Sequence, residues 1–329
     1  MTPTDATGAD PGDHLVPVLE VGGTHVTAAL VALDTDEGPV VRGPRRAELV
    51  ADEPAELIVQ RIVACAAAVA APQGAPWGFA VPGPFDYTRG VGLYTGVGKF
   101  DALHGVDLRQ LLLRLLPSRP ADIVFLNDAE AFLLGEWRAG AALGHDRAVG
   151  LTLGTGIGSA FLAHGHAITD GPQVPPHGHV HLLSVAGSPL EDVVSSRAIK
   201  RRYAAVADGG IEADVRGIAQ RARAGEPAAR DVLDQAFTAL GQAVAPWLER
   251  FHASVLVVGG SITRSWDLVA GPLEAGISSP PAAATGLSIV AAEQPEQAPL
   301  IGAAWHVARS SLADGATTRR RHDPGGALA

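Results

Sequence analysis

The sequence predicts an α/β protein built from two similar halves, and three observations carry that prediction. Short apolar stretches run repeatedly into glycine turns: 16–19 into Glu20-Val21-Gly22-Gly23-Thr24, 148–153 into Gly154-Thr155-Gly156-Ile157-Gly158, and 255–258 into Gly259-Gly260-Ser261. Between the first two, the apolar stretch 123–126 ends at Asn127-Asp128. Segments with helical periodicity alternate with these strands in both halves, as expected of layered α/β architecture.

Taken in order, residues 1–13 are small, polar and turn-forming, and are expected to fray. A strand over 16–19, the Gly-Gly-Thr turn and a second strand over 26–33 read as a hairpin whose turn faces a ligand. Residues 53–71 carry apolar positions at Leu57, Ile58, Ile62, Val63 and Val69 and stop at Pro72, which predicts a helix. A strand over 77–81 ends in Pro82-Gly83-Pro84. A helix over 106–116 precedes Pro117, a strand covers 123–126, and a helix follows over 129–142. The second half repeats the opening: a strand over 148–153, a glycine turn and a strand over 159–163. A mainly helical block fills 190–252, interrupted near 206–210. A buried strand over 255–258 and a final helix over 299–309 complete the order. The tail, 313–329, carries Arg319-Arg320-Arg321 and Gly325-Gly326 and is expected to be a frayed, solvated segment.

Composition narrows the function. With 329 residues, 47% hydrophobic and 18% charged, the chain is a globular protein large enough for two domains. A net charge of -10 argues against a general nucleic-acid or anionic-membrane binder, though not against one anionic nucleotide held locally. The single cysteine, Cys65, excludes an intrachain disulfide or a cysteine-based zinc site, so no structural zinc is expected. The N-terminus lacks a signal-peptide layout and no apolar run is long enough to span a bilayer, so the cytoplasm is the expected compartment.

The turns carry the chemistry. Glycine at a strand end lets backbone N–H groups approach a polyphosphate closely, because no Cβ intervenes. Several such turns with a carboxylate between them point to a nucleotide held across a cleft, although most Gly-Gly pairs serve as plain hairpin turns. Asp128 ends a strand and opens a helix, where it is either a reactive carboxylate or a helix cap. His177, His179 and His181 would share one face of a strand and could bind a metal; a single ligand-facing His179 is the favoured alternative.

These motifs in this order resemble the ROK family of sugar kinases and sugar-responsive repressors, within the actin-like ATPase superfamily. The likeness rests on Glu20–Thr24, Val81-Pro82-Gly83-Pro84, Leu126-Asn127-Asp128-Ala129-Glu130, Leu151–Gly158, Gly178-His179, Leu190-Glu191, Val258-Gly259-Gly260 and Leu300-Ile301-Gly302-Ala303-Ala304. It implies a two-domain actin-like (ribonuclease H-like) fold with a cleft between a small domain (14–126 plus 299–312) and a large one (127–298). Only a few residues precede Val16, so the repressors' helix-turn-helix is not expected and the kinase branch is implied. The resemblance makes Asp128 the general base for transfer of the ATP γ-phosphoryl to a sugar hydroxyl, the primary one in most members. It implies substrate contacts from Gly83, Lys99, Asn127, His179 and Glu191. It places ATP phosphates on Gly22, Gly23, Thr24, Gly154, Thr155, Gly156 and Gly158, adenosine at Gly259 and Gly260, and Mg²⁺ near Glu20. Members are commonly homodimers.

Four departures modify that expectation. Glu20 stands where the family usually has Asp, which keeps the charge and adds a methylene. The sugar loop reads Pro176-His177-Gly178-His179, so the usual Glu is replaced by Pro176. The cysteine-rich zinc motif is missing across 185–190. Lys99 falls roughly where many members have Asn. A lost acceptor changes which hydroxyl is read, by ~1–3 kcal/mol. The expected substrate therefore extends from a glucose-type sugar to an amino sugar or C7-cyclitol. The rivals are a catalytically weak sugar-binding regulator, which Glu20 and Pro176 favour, and a polymerising or chaperone ATPase, which the sugar-loop matches oppose.

Overall fold

The computed structural model describes residues 15–207, 213–278 and 286–320, with backbone only over 311–320. The expected loose N-terminus, most of the break near 206–210 and the last nine residues lie outside the described residues. The chain forms two compact units, one running to Ala131 and resuming at Pro299, the other covering Phe132–Ala298.

The first unit is a five-stranded sheet. Its strands are β1 (Leu15–Val21), β2 (His25–Ala32), β3 (Val40–Glu48), β4 (Trp77–Val81) and β5 (Ile123–Asn127), in the order β3-β2-β1-β4-β5. β1, β2 and β3 pair antiparallel, whereas β1, β4 and β5 run parallel. Along β4, Trp77, Phe79 and Val81 are buried in one core with Ile58 of helix α1 (Ala55–Ala67) and Leu112 of α2 (Leu108–Leu115). Gly78 alternates to the other face, where the backbone of Ala303 in the last helix lies too close for any side chain. The Asp107 carboxylate starts α2 by accepting the Gln110 N–H at 2.9 Å.

The second unit repeats the plan with β6 (Arg147–Leu153), β7 (Ile157–Ala163), β8 (His166–Ala167), β9 (Val255–Gly259) and β10 (Ser288–Ala291) in the order β8-β7-β6-β9-β10. Again the first three pair antiparallel and the last two join in parallel. The duplication expected from the glycine turns is therefore present strand for strand.

Helix α3 is Asp128–Ala139, shorter than the expected 129–142 because Gly140 follows with the Glu136 carboxylate against it. The helical block comprises α4 (Glu191–Val194), α5 (Ser196–Val206), α6 (Val215–Arg223) and the 25-residue α7 (Pro227–Phe251). Helix α8 (Trp266–Ile277) packs on α7. The last helix, α9, spans Ala298–Arg320, so the backbone over 313–320 is helical where a frayed tail was expected. Among the described residues, no helix is long and apolar enough to cross a membrane.

Candidate active site

In the first unit, strand register gathers the expected residues. Glu20 lies opposite Ala80, Ala80 opposite Leu126, and Val81 opposite Asn127. The C-terminal ends of β1, β4 and β5 thus bring the Gly22-Gly23-Thr24 turn, the Gly83 loop and Asn127-Asp128 to one edge, where open α/β sheets bind ligands. Gly22 N–H donates to the His25 carbonyl at 2.8 Å and closes the turn. His25 Nε2 lies 3.8 Å from Glu20 Oε2, and its Nδ1 is 3.2 Å from Thr24 Oγ1.

The Asn127-Asp128 pair divides two tasks. Asn127 Oδ1 accepts the N–H groups of Ala129 at 2.9 Å and Glu130 at 3.3 Å, so Asn127 caps α3. Asp128, offered by the sequence as either cap or reactive group, is the first helical residue, and its carboxylate accepts the adjacent Ala129 N–H at 2.9 Å. Burial raises the Asp128 carboxyl above the usual carboxylate range, opposed chiefly by the Lys99 ammonium. Burial also pushes Glu20 up to about 7, with Asp128 adding to the rise and Arg46 and Thr27 opposing it.

Two tyrosines that sequence reasoning missed hold this edge. Tyr87 Oη accepts from Asn127 Nδ2 at 2.9 Å and donates to the Val81 carbonyl at 3.3 Å. Tyr94 Oη, fully buried, donates to the Pro82 carbonyl at 2.6 Å. Burial raises both phenols. No spacing rule marks them, because both follow a loop whose path is set by the fold.

In the second unit, Gly158 pairs with Thr152, and Thr152 with Gly259, which puts the Gly154–Gly158 and Gly259-Gly260 turns side by side. Gly260 has φ +89, and a Cβ there would run into the Leu153 backbone, so the position requires glycine. The Ser196 N–H and hydroxyl donate to the Gly154 carbonyl at 3.2 and 2.5 Å, fixing the start of α5 on that turn. Glu191 Oε1 lies against Gly156. Beside Ser261, a pocket of about 560 Å³ is lined by Ser196, Lys200, Arg216, Phe237 and Ile262 among others.

The three histidines do not share a strand. Pro176–Gly178 and Val180–Leu182 are two short 3₁₀ turns, because Pro175-Pro176 and the left-handed His177 (φ 57) break extended backbone. Ser159 Oγ ties the segment to β7, donating to Gly178 O at 2.7 Å and accepting from Val180 N at 2.9 Å. His179 stacks on His181 with ring centres 5.1 Å apart. Burial, with His181 and His177 nearby, holds His179 down to about 4, hence neutral near pH 7. Among the described residues no group of three or more His, Cys, Asp or Glu could hold a metal ion. Pro176 is exposed, and its side chain offers no hydrogen-bond acceptor; its carbonyl accepts the His179 N–H at 3.0 Å. Residues 185–190 contain one side of a tight hairpin, Ser184–Val185 with Ser188–Pro189, turning through Ala186 and Gly187 at positive φ.

Comparison with known proteins gives a consistent outcome. The ROK family model matches residues 17–310. A glucokinase from Thermotoga maritima is 31% identical over 311 residues, covering 87% of this chain and 95% of that protein. Among solved structures, a ROK hexokinase from Thermus thermophilus superposes with a TM-score of 0.68 at 22% identity, over 91% of this chain and 99% of that one. A ROK family glucokinase from Streptomyces griseus, solved with glucose and AMPPNP, gives 0.66 at 23% identity, over 88% and 98%. The structural likeness establishes the actin-like ATPase fold.

Proposed function

This chain belongs to the ROK family, and from that premise we propose that it is a carbohydrate kinase transferring the γ-phosphoryl of ATP to a hydroxyl of a hexose or hexose-like molecule. The observation that supports the reading most is the division of labour at Asn127-Asp128. Because Asn127 caps the helix, the Asp128 carboxylate is left for the acceptor hydroxyl, and its raised affinity for protons suits a general base. Phosphoryl transfer passes through a loose transition state, so the remaining residues chiefly position groups and balance charge.

In this reading the Gly22-Gly23-Thr24 turn and the Gly154–Gly158 turn present N–H groups to the ATP phosphates. The pocket beside Gly259-Gly260 takes the nucleoside. Glu20 is a hard oxygen acceptor of the kind that would orient the waters of a Mg²⁺ ion carried by the phosphates. Mg²⁺ there would neutralise phosphate charge. Gly83, Lys99, neutral His179 and Glu191 address the sugar. Asn127 has spent both acceptor lone pairs and one amide proton on the contacts above, so it offers the sugar one N–H donor. Pro176 removes an acceptor, which favours a substrate with a changed hydroxyl pattern, such as an amino sugar or C7-cyclitol, over glucose itself.

The test is Mg-dependent ADP release across hexoses, amino sugars and cyclitols, with Asp128→Asn as control. Turnover with one compound, lost in the variant, supports the kinase and identifies its acceptor. ATP binding without turnover across the panel would replace it with the sugar-binding regulator.

A further inference from the structure

We propose that Tyr87 is a positioning residue for phosphoryl transfer: its hydroxyl fixes the orientation of the Asn127 amide and, through it, the placement of Asp128. The inference rests on the kinase reading of the Asn127-Asp128 turn. Tyr87 is joined to two segments that approach the same edge of the first sheet, the Val81–Gly83 loop and the start of α3. Its one proton goes to the Val81 carbonyl, so toward Asn127 it can only accept. That polarity decides which way round the Asn127 amide sits. Nδ2 must face Tyr87, and Oδ1 must face the N–H groups of Ala129 and Glu130.

A flipped amide would set Nδ2 against two N–H donors and uncap α3. Asp128 lies between Asn127 and the capped residues, so its carboxylate inherits the geometry of that cap. Phe85 packs its ring 5.4 Å from that of Tyr87 and restrains the phenol, while Gly83, where a Cβ would come 3.3 Å from the hydroxyl, leaves room for it. Nothing in this arrangement requires Tyr87 to touch substrate; it acts through Asn127.

Tyr87→Phe removes the hydroxyl and keeps the ring. The expected result is a kcat lowered by roughly tenfold or more, the scale of one hydrogen bond lost behind a reacting group. The acid limb of the kcat/KM pH profile should move, because the surroundings of Asp128 change, while ATP affinity stays within about twofold. In a ¹⁵N spectrum, the Asn127 side-chain amide should lose its resolved, slowly exchanging signal. An unchanged kcat and acid limb, or a fall in kcat matched by an equal loss of ATP affinity and of Tm, would overturn the proposal. If the parent protein turned over no sugar, the kinase reading would fail by itself. The amide signal would still decide whether Tyr87 orients Asn127: unchanged in Tyr87→Phe, it sinks the inference.

Discussion

The Glu191 carboxylate occupies the space that a side chain on residue 156 would need: a Cβ on Gly156 would lie 2.5 Å from Glu191 Oε1. The glycine in the middle of the second turn therefore serves a contact within the protein itself. It lets the first residue of α4 lay its carboxylate on the turn. A glycine in a turn and a glutamate thirty-five residues later are a single local unit.

Gly156→Ala separates stability from function at this unit. The obstructing atom is the free end of a flexible side chain and Gly156 has no positive φ, so the carboxylate can swing aside at a cost of about 1 kcal/mol or less. The melting temperature should fall by no more than a few degrees. If Glu191 reads a sugar hydroxyl, KM for the sugar should rise by roughly tenfold, matching Glu191→Gln. Steady-state kinetics with both variants checks this, and a sugar KM unchanged in both would remove Glu191 from the substrate site.

Asp128→Asn should lower kcat by about 10²–10⁴, the usual contribution of a positioned base. The amide is isosteric, and the cap of α3 belongs to Asn127, so the fold and ATP affinity should be retained. Single-turnover kinetics alongside nucleotide titration measures both. Retained turnover would take the base role from Asp128.

The parts legible in the sequence were those in which one residue type has one physical use. Glycine after an apolar run marked the turns at the ends of β1, β6 and β9, and strict burial made β4 and β9 readable nearly to the residue. β3 escaped notice because it is a sheet edge, exposed over most of its length and carrying Arg42, Arg45 and Arg46, which suits an edge strand but leaves no apolar alternation. α8 contains Gly271 and Pro272, which read locally as a break, and packing on α7 overrides them. In the site, Asn127 and Asp128 were visible as a pair. Which one caps the helix was decided by Tyr87, forty residues upstream and beyond any local pattern.

Glu130 gives stability a predictable dependence on pH. Burial, with Asp128 beside it, raises its carboxyl from 4.5 to about 7. The folded state thus prefers the protonated acid. The benefit is complete below about pH 4.5 and is lost as pH rises through about 7, so the ionised group costs up to about 3 kcal/mol at pH 8. Glu130→Gln keeps the shape without the charge. It should raise the melting temperature at pH 8 by about 5 °C and change it little at pH 4. Calorimetry at the two pH values checks the sign, and a gain larger at pH 4 than at pH 8 would contradict it.

Glu136 is fully buried where the backbone supplies its hydrogen-bond partners. It accepts N–H groups from Ala141 at 2.8 Å, Gln294 at 2.9 Å and Glu293 at 3.2 Å, tying the end of α3 to the segment that follows β10. Glu136→Ala removes the acceptor of three part-buried donors and leaves a cavity. The expected loss is about 3 kcal/mol, or roughly 5 °C in melting temperature. Glu136→Gln should cost less, since one oxygen still accepts, but its NH₂ then meets N–H donors that cannot accept from it. The order Ala worse than Gln, and Gln worse than the parent, is what denaturant unfolding should return. Equal stability of parent and Gln variant would mean that the charge itself contributes nothing to this anchor.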